Sequence, residues 1–157
     1  MKIVNMKTNR IKNPLGFNLG NKPRLSWIVE SKTAKRQAAA QIQVSTDADF
    51  SNIIFDSGKR TDMDSICYPL DIELFPRTRY YWRVCVWGDD GSIATSDTAW
   101  FETSKMSEPW PAKWISPVFD SSIHPVLFSD FSVKGEVKNA RIYICGLGLY
   151  ELFINGD

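Results

Sequence analysis

A strict alternation of side chains in the middle of the chain constrains the fold more than any other feature. From Tyr80, every second residue is large and apolar, through Trp82, Val84 and Val86. A period of two is typical of a β-strand that has one face in a core. Residues 79–87 are therefore predicted to form a long central strand.

The residues before this strand predict the corner that leads into it. Leu74, Pro76 and Thr78 carry the same alternation backwards, and Pro76 suits a turn because it has no backbone donor. The pattern resembles the sixth strand of a fibronectin type III sandwich, in which a tyrosine near the strand start ties down the corner loop. This fold alone specifies no chemistry, because such sandwiches carry many functions.

Further segments show the same strand signals, separated by turn residues at short intervals. They are residues 24–30, 40–45, 53–56, 67–72 and 98–103. Pro69 places its segment at a sheet edge, because proline cannot donate a ladder hydrogen bond. No segment has a convincing helical period. Short strands spaced in this way predict an all-β chain, with an antiparallel sandwich of the fibronectin type III or immunoglobulin-like type over residues 1–103.

The pattern breaks at residues 104–113, which contain Pro109 and Pro111 and show no alternation. We predict an interdomain linker there, stiffened by proline. Strand signals resume in residues 126–133, 139–145 and 149–154. Residues 114–157 are therefore predicted to be the first strands of a second β-sandwich.

Asn155 and Gly156 follow the last of these segments. Asn-Gly is a strong hairpin signal, because a type I′ turn requires positive φ at both central residues. No return strand follows, and three strands bury too little surface to be stable alone. We therefore expect a truncated second domain. Residues 114–157 should be disordered, or should pair with another chain by strand addition and form a dimer.

Composition and charge exclude several classes of function. The formal net charge is +1, with acids and bases interspersed, so nucleic acid is not an expected partner. No apolar run approaches the ~20 residues that span a bilayer, so no membrane partner is expected. The start of the chain lacks a signal-peptide core, which predicts a cytoplasmic protein. Three widely spaced cysteines argue against a disulfide framework or a zinc site; we expect no metal and no cofactor.

A set of short motifs occurs in a recognisable order along nearly the whole chain. They are Asn13-Pro14-Leu15-Gly16, Lys22-Pro23-Arg24-Leu25-Ser26-Trp27, Asp56-Ser57-Gly58-Lys59, Thr78-Arg79-Tyr80-Tyr81-Trp82-Arg83-Val84 with Trp87, Trp100-Phe101-Glu102-Thr103, Trp114-Ile115 and Gly146-Leu147-Gly148-Leu149-Tyr150-Glu151-Leu152. Each motif is weak alone. Their order and spacing together resemble the N-terminal region of the bacterial α-L-rhamnosidase family of glycoside hydrolases.

This resemblance implies a fibronectin-type domain first, a jelly-roll-like sandwich next, and a catalytic (α/α) barrel much further along the chain. The implied reaction is hydrolysis of terminal α-L-rhamnose from glycosides, with inversion, by two carboxyl groups of that barrel. No position here matches those catalytic motifs, so we assign no catalytic residue. We expect a non-catalytic N-terminal fragment whose partner is the remainder of the parent enzyme. The alternatives are a free-standing module that binds rhamnosyl carbohydrate and a protein-interaction sandwich.

Five residues are the candidates for a sugar-binding or interface surface. Tyr81, Arg83 and Trp87 alternate with the apolar residues of the central strand and therefore share its outward face. Aromatic rings there could stack on a sugar, or could pack against a neighbouring strand or domain. Trp110 and Trp114 flank the predicted linker, and we expect them to dock the two domains, because interfaces favour tryptophan.

Overall fold

The computed structural model describes residues 1–16, 18–118, 120 and 122–157. Two compact units are distinguished, Met1–Ala112 and Lys113–Asp157. All strands found in the described residues lie in the first unit. Most of the residues predicted as a linker, up to Ala112, also belong to that unit.

Eight β-strands build the first unit, and the described residues form no helix, hence none that could cross a membrane. The strands are β1 (Lys2–Thr8), β2 (Arg24–Glu30), β3 (Gln37–Ser45), β4 (Ile53–Asp56), β5 (Tyr68–Pro69), β6 (Arg79–Gly88), β7 (Ile93–Thr95) and β8 (Ala99–Glu102). Every pairing between them is antiparallel. The predicted all-β antiparallel fold is confirmed.

The strands form two sheets. One has three strands in the order β1-β2-β5, and the other has five, in the order β4-β3-β6-β7 with β8 also beside β6. β6 pairs with β3 from Gly88, opposite Gln37, to Tyr81, opposite Ser45. On its other side, β8 pairs with the first half of β6 and β7 with the second half. β6 is therefore the central strand that its alternation predicts.

Buried apolar side chains from both sheets form one core. In β6, buried and half-buried residues alternate without exception. The ring of Tyr80 stacks on Phe101 of β8, with the ring centroids 5.2 Å apart. From the smaller sheet, Trp27 is buried, and its indole N–H donates to Oε1 of Gln37 at 3.0 Å. Burying one large apolar side chain contributes about 1.5–3 kcal/mol, so this alternation accounts for much of the stability of the sandwich.

A short segment before β2 covers the outer edge of β8. The backbone N–H of Glu102 donates to the carbonyl of Pro14 at 2.9 Å, and the N–H of Gly16 donates to the carbonyl of Glu102 at 3.1 Å. The N–H of Trp100 donates to Oδ1 of Asn13 at 3.1 Å. The Asn-Pro-Leu-Gly motif therefore protects a strand edge that could otherwise pair with another chain.

The segment after β8 is fixed to the corner that precedes β6. The backbone N–H of Arg77 donates to the carbonyl of Ser104 at 2.9 Å. The guanidinium of Arg77 also forms an ion pair of 2.8 Å with Glu108. Further along, Nζ of Lys105 lies 4.9 Å from the ring centre of Trp110. These contacts explain why the segment belongs to the first unit.

No strand forms among the described residues of the second unit. The described residues of the segments 126–133, 139–145 and 149–154 are therefore not strands in this structure, and the start of a second sandwich stays a prediction. A strand needs neighbours that bond its N–H and C=O groups, and a few short segments bury too little apolar surface to supply them. Apolar side chains such as Phe128 and Leu149 accordingly remain exposed.

The Asn155-Gly156 turn of the second unit does form. The angle φ is 55° at Asn155 and 92° at Gly156. The backbone N–H groups of Ile154 and Asp157 each donate to the other residue's carbonyl, at 2.8 and 3.1 Å. A two-residue loop with positive φ at both positions is the type I′ geometry predicted from the sequence.

Candidate functional site

The outward side chains of β6 lie in a row on one face of the larger sheet. Tyr81, Arg83, Cys85 and Trp87 are half-buried, whereas the residues between them are buried. Their cross-strand neighbours on β3 are Ser45, Gln43, Gln41 and Ala39, respectively. We call the surface that carries these side chains the outer face.

Three cations of the outer face lie over aromatic rings. The pairs are Arg79 over Trp100 at 4.1 Å from the ring centre, Arg83 over Phe50 at 4.2 Å, and Lys59 over Trp87 at 4.6 Å. A contact of this kind contributes about 0.5–1 kcal/mol at an exposed site. One side of each ring is therefore covered by the protein's own cation, which reduces the aromatic surface on which a sugar could stack.

A hydrogen-bonded network fixes the polar side chains beside Arg83. The carboxylate of Asp56 accepts from Nε2 of Gln41 at 2.7 Å and from Nε2 of Gln43 at 2.8 Å. Oε1 of Gln43 in turn accepts from Nε of Arg83 at 2.9 Å. Partial burial acts to raise the pKa of Asp56, but the hydrogen bonds from both glutamines and from the backbone of Gly58, with the charge of Arg83, lower this pKa overall. The carboxylate therefore stays ionised and orients both amides.

Beside this network, the outer face forms a shallow concavity of about 230 Å³. Its lining residues are Gln41, Gln43, Arg83, Cys85 and Thr95. The volume is below the ~300–1,000 Å³ typical of pockets for drug-sized ligands, so a small molecule suits it better. The lining offers polar groups and one positive charge, and it contains no aromatic ring.

The structure brings together three of the five predicted site residues. Tyr81, Arg83 and Trp87 share the outer face, as the alternation predicts. Trp110 lies in the segment after β8, where its ring contacts Lys105. Trp114 belongs to the second unit and is exposed. The docking role of the two last tryptophans stays a prediction.

Sequence reasoning did not select Phe50, Gln41, Gln43 and Asp56, which contribute to this surface. The two glutamines alternate with buried apolar residues of β3, so the period of two could have placed them on the outer face. Phe50 lies in a turn with a positive φ of 61°. No local pattern relates it to Arg83, because the fold alone brings the two together.

The aspartates of the turns act locally rather than as a catalytic pair. Asp49 accepts a hydrogen bond from the backbone N–H of Ser51 at 3.1 Å, and Asp64 accepts one from Ile66 at 2.8 Å. Aspartate side chains that bond the backbone two residues on stabilise turns. No group of His, Cys, Asp or Glu that could hold a metal ion occurs within the part of the chain that the structure describes.

A known domain family matches this sandwich. Residues 3–107 match the family model described as "Rha78A-like, N-terminal immunoglobulin domain". The chain belongs to this family. The matched residues of the Rha78A-like domain contain nearly all of the eight strands and the whole outer face.

Curated relatives of this Rha78A-like chain are named alpha-L-rhamnosidase. The relative from Streptomyces avermitilis is 38% identical over 122 residues, which cover 74% of this chain and 12% of the relative. A relative from Formosa agariphila is 28% identical over 181 residues, which cover 95% of this chain and 19% of the relative. The chain thus spans less than a fifth of the length of these relatives. The resemblance predicted from the motifs is confirmed.

Two solved structures contain the same fold. The crystal structure of the Streptomyces avermitilis alpha-L-rhamnosidase complexed with L-rhamnose matches with a TM-score of 0.67 and 37% identity, over 73% of this chain and 12% of that chain. The alpha-L-rhamnosidase from Dictyoglumus thermophilum matches with a TM-score of 0.64 and 30% identity, over 74% of this chain and 14% of that chain. The Rha78A-like sandwich described here therefore corresponds to a small part of each of these enzymes.

Proposed function

We propose that this Rha78A-like sandwich is the non-catalytic N-terminal domain of an α-L-rhamnosidase. The intact enzyme would hydrolyse terminal α-L-rhamnose from glycosides with inversion, using two carboxyl groups of a downstream domain. The observation that carries this proposal is the match of residues 3–107 to an N-terminal immunoglobulin domain family, together with 38% identity to a named alpha-L-rhamnosidase.

The hydrogen bonds that the aspartate carboxylates accept support an architectural role for the sandwich. Inverting glycosidases hold two carboxyl groups about 6.5–9.5 Å apart, with room for a water between one of them and the sugar. Asp49 and Asp64 instead bind backbone N–H groups of their own turns. The carboxylate of Asp56 accepts hydrogen bonds from the amides of two glutamines. These side chains stabilise the surface of the sandwich.

Hydrolysis of an aryl α-L-rhamnoside tests the non-catalytic part of the proposal. We expect the purified chain to release no phenol above a protein-free blank, while a full-length alpha-L-rhamnosidase under the same conditions does. Turnover that remains with the chain through successive purification steps would overturn the proposal.

A second candidate function is the binding of a rhamnosyl carbohydrate on the outer face. It is favoured by the common position of Tyr81, Arg83 and Trp87 beside a polar concavity. If it is correct, titration with rhamnose and rhamnosyl oligosaccharides will saturate, and Trp87→Ala will abolish binding. Trp110→Ala makes the same change in the segment after β8, at a residue that does not line the concavity, and should leave binding intact. A flat titration would dismiss this function.

We further propose that residues 114–157 pair with the same segment of a second chain by strand addition. The support is the exposure of many large apolar side chains there, including Phe128 and Leu149, because exposed apolar segments favour association. Light scattering during size exclusion should give a dimer for the full chain and a monomer for residues 1–112. A full chain that is monomeric at high concentration would contradict this pairing.

A further inference from the structure

Two arginines of β6 are held in the same way on the outer face. Both Arg79 and Arg83 are half-buried. The guanidinium of Arg79 lies over Trp100, and that of Arg83 lies over Phe50, at nearly equal distances of 4.1 and 4.2 Å from the ring centres. Stacking of this kind limits the rotation of the guanidinium and keeps its N–H groups in a defined plane.

The two arginines differ in the group that accepts hydrogen bonds from their guanidinium. Nε and Nη2 of Arg79 donate to the same carboxylate oxygen of Glu102, at 3.2 and 3.0 Å. Nε of Arg83 donates instead to the neutral amide oxygen of Gln43 at 2.9 Å. Among the residues that the structure describes, no carboxylate oxygen lies within 4.0 Å of the guanidinium nitrogens of Arg83. Arg83 is thus an oriented cation that forms no direct ion pair with a carboxylate of the described residues, although its charge acts on Asp56.

Asp56, whose pKa the charge of Arg83 helps to lower, already accepts hydrogen bonds from other donors. Its two oxygens accept from Gln41 and Gln43, and one of them also accepts from the backbone N–H of Gly58 at 2.8 Å. Three N–H donors therefore stabilise this charge. The network orients Gln43, and Gln43 orients Arg83, so the side chains of the concavity are arranged before any ligand arrives.

We propose that the concavity binds a small hydroxycarboxylate, with the carboxylate on the Nη groups of Arg83 and the hydroxyls on Gln41 and Thr95. A guanidinium fork matches a carboxylate with two parallel hydrogen bonds, and a preoriented fork loses less entropy on binding. Arg83 supplies the single positive charge of the lining, and no acid is part of it. Gln41 and Thr95 line the same concavity and carry groups that can bond hydroxyls.

The proposal differs from sugar stacking in what the surface recognises. A stacking site recognises the apolar face of a neutral sugar ring through aromatic side chains. The lining of the concavity contains no aromatic residue, so the charge of the ligand should decide its affinity. This site is independent of the role of the chain in a glycoside hydrolase, and the two can fail separately.

Nuclear magnetic resonance titration of the full chain with D-glucuronate and D-glucose tests the proposal. The two probes differ only at C6, which is a carboxylate group in glucuronate and a hydroxymethyl group in glucose. At low ionic strength we expect glucuronate to saturate with a dissociation constant of about 1 mM or below, and glucose to show no saturation. The shifted signals should include those of Gln41 and Thr95.

Three substitutions distinguish binding at the concavity from a general attraction of glucuronate to the positive charges of the surface. Arg83→Gln should weaken glucuronate binding about tenfold or more, since it removes a charge-assisted bidentate pair. Thr95→Val, which leaves Arg83 and its network in place, should weaken it severalfold. Lys59→Gln removes one positive charge from the same face, next to Trp87, and should change binding less than about twofold, because Lys59 does not line the concavity. Equal binding of glucose and glucuronate, or equal losses in Lys59→Gln and Arg83→Gln, would overturn the proposal.

Discussion

The backbone N–H of Phe75 donates a hydrogen bond of 2.8 Å to the hydroxyl oxygen of Tyr80, five residues later in the chain. This contact ties the corner before β6 to the first part of that strand, as the fibronectin-like pattern of the sequence predicts. Burial raises the pKa of Tyr80, and the charge of Glu73 adds to the effect, although the Phe75 hydrogen bond opposes it. The hydroxyl therefore stays protonated at ordinary pH.

Tyr80→Phe removes this hydrogen bond and keeps the buried ring. The N–H of Phe75 then loses its partner in a partly buried position, which costs about 1–3 kcal/mol of unfolding free energy. Denaturant unfolding measures the change. Tyr81→Phe is the matched control, because Tyr81 points to the outer face and should lose less than about 0.5 kcal/mol. Equal losses in the two variants would contradict the role of the corner.

Thr103, the residue after β8, stabilises the same corner. Its buried hydroxyl donates to the carbonyl of Phe75 at 2.6 Å and accepts from the N–H of Thr78 at 2.9 Å. Thr103→Val keeps the shape and removes both bonds, so we expect a loss of about 1–3 kcal/mol in denaturant unfolding. Thr98→Val, at an exposed position, should change stability little.

A double-mutant cycle then asks whether Tyr80 and Thr103 act on one corner. Once either side chain has released the corner, removal of the other should cost less, so the losses in Tyr80→Phe and Thr103→Val should not add. Additive losses would show that the two side chains stabilise separate parts of the sandwich.

Asp90 joins two loops at the opposite end of β6. Its carboxylate accepts from the hydroxyls of Ser92 and Thr33 and from the backbone N–H of Ser92. These bonds lower the pKa of Asp90 from 3.8 to about 2. A lowered pKa means that the folded state binds the proton less tightly than the unfolded chain does. The resulting stability is present above the ordinary pKa and is lost as the pH falls towards about 2.

Thermal unfolding across the acidic range tests this contribution. The wild-type chain should be more stable than Asp90→Asn at pH 5–6, and the difference should shrink as the pH falls below about 4. Asp97→Asn, at an exposed position, is the control and should follow the wild type. A difference between Asp90→Asn and the wild type that is constant across the pH range would contradict the pKa assignment.

The first unit should fold without the second. Every residue of the core cluster, from Ile3 to Phe101, lies within Met1–Ala112. Residues 1–112 should therefore retain the β-sheet spectrum, with a melting temperature within about 3 °C of the full chain, which corresponds to less than about 1 kcal/mol. Circular dichroism measures both. Unfolding of residues 1–112 at room temperature would show that the second unit contributes to the core.

The sequence predicts those elements whose pattern is local. The alternation from Tyr80 to Val86 locates β6 and its buried face, and Asn155-Gly156 locates a type I′ turn. β1 escapes prediction because a bulge near Asn5, with φ of 53°, interrupts its alternation. β7 has three residues, too few to show a period. The segments predicted as strands after residue 114 have no paired strand among the described residues, because alternation gives a propensity but does not supply a partner strand.

In the candidate site, too, the features with a local sequence pattern are predictable and those that depend on the tertiary fold are not. The outward position of Arg83 follows from alternation along β6, whereas its contact with Phe50 depends on a turn that the tertiary fold places there. The hydrogen bonds from Gln41 and Gln43 to Asp56 likewise depend on the pairing of β3 with β4. Counter-ions and ring contacts join distant segments, so a single sequence does not specify them.

Replacement of the matching N-terminal region of the Streptomyces avermitilis alpha-L-rhamnosidase by residues 1–112 of this chain tests the proposed function as a domain. Hydrolysis of an aryl α-L-rhamnoside is measured for the replaced enzyme, for a version lacking the region, and for a version carrying an unrelated fibronectin type III domain. If the sandwich is the N-terminal domain of such an enzyme, the replaced enzyme will retain activity within about tenfold of the parent, equivalent to about 1.4 kcal/mol, and the other two will lose it. A replaced enzyme as inactive as the version lacking the region would contradict the proposal.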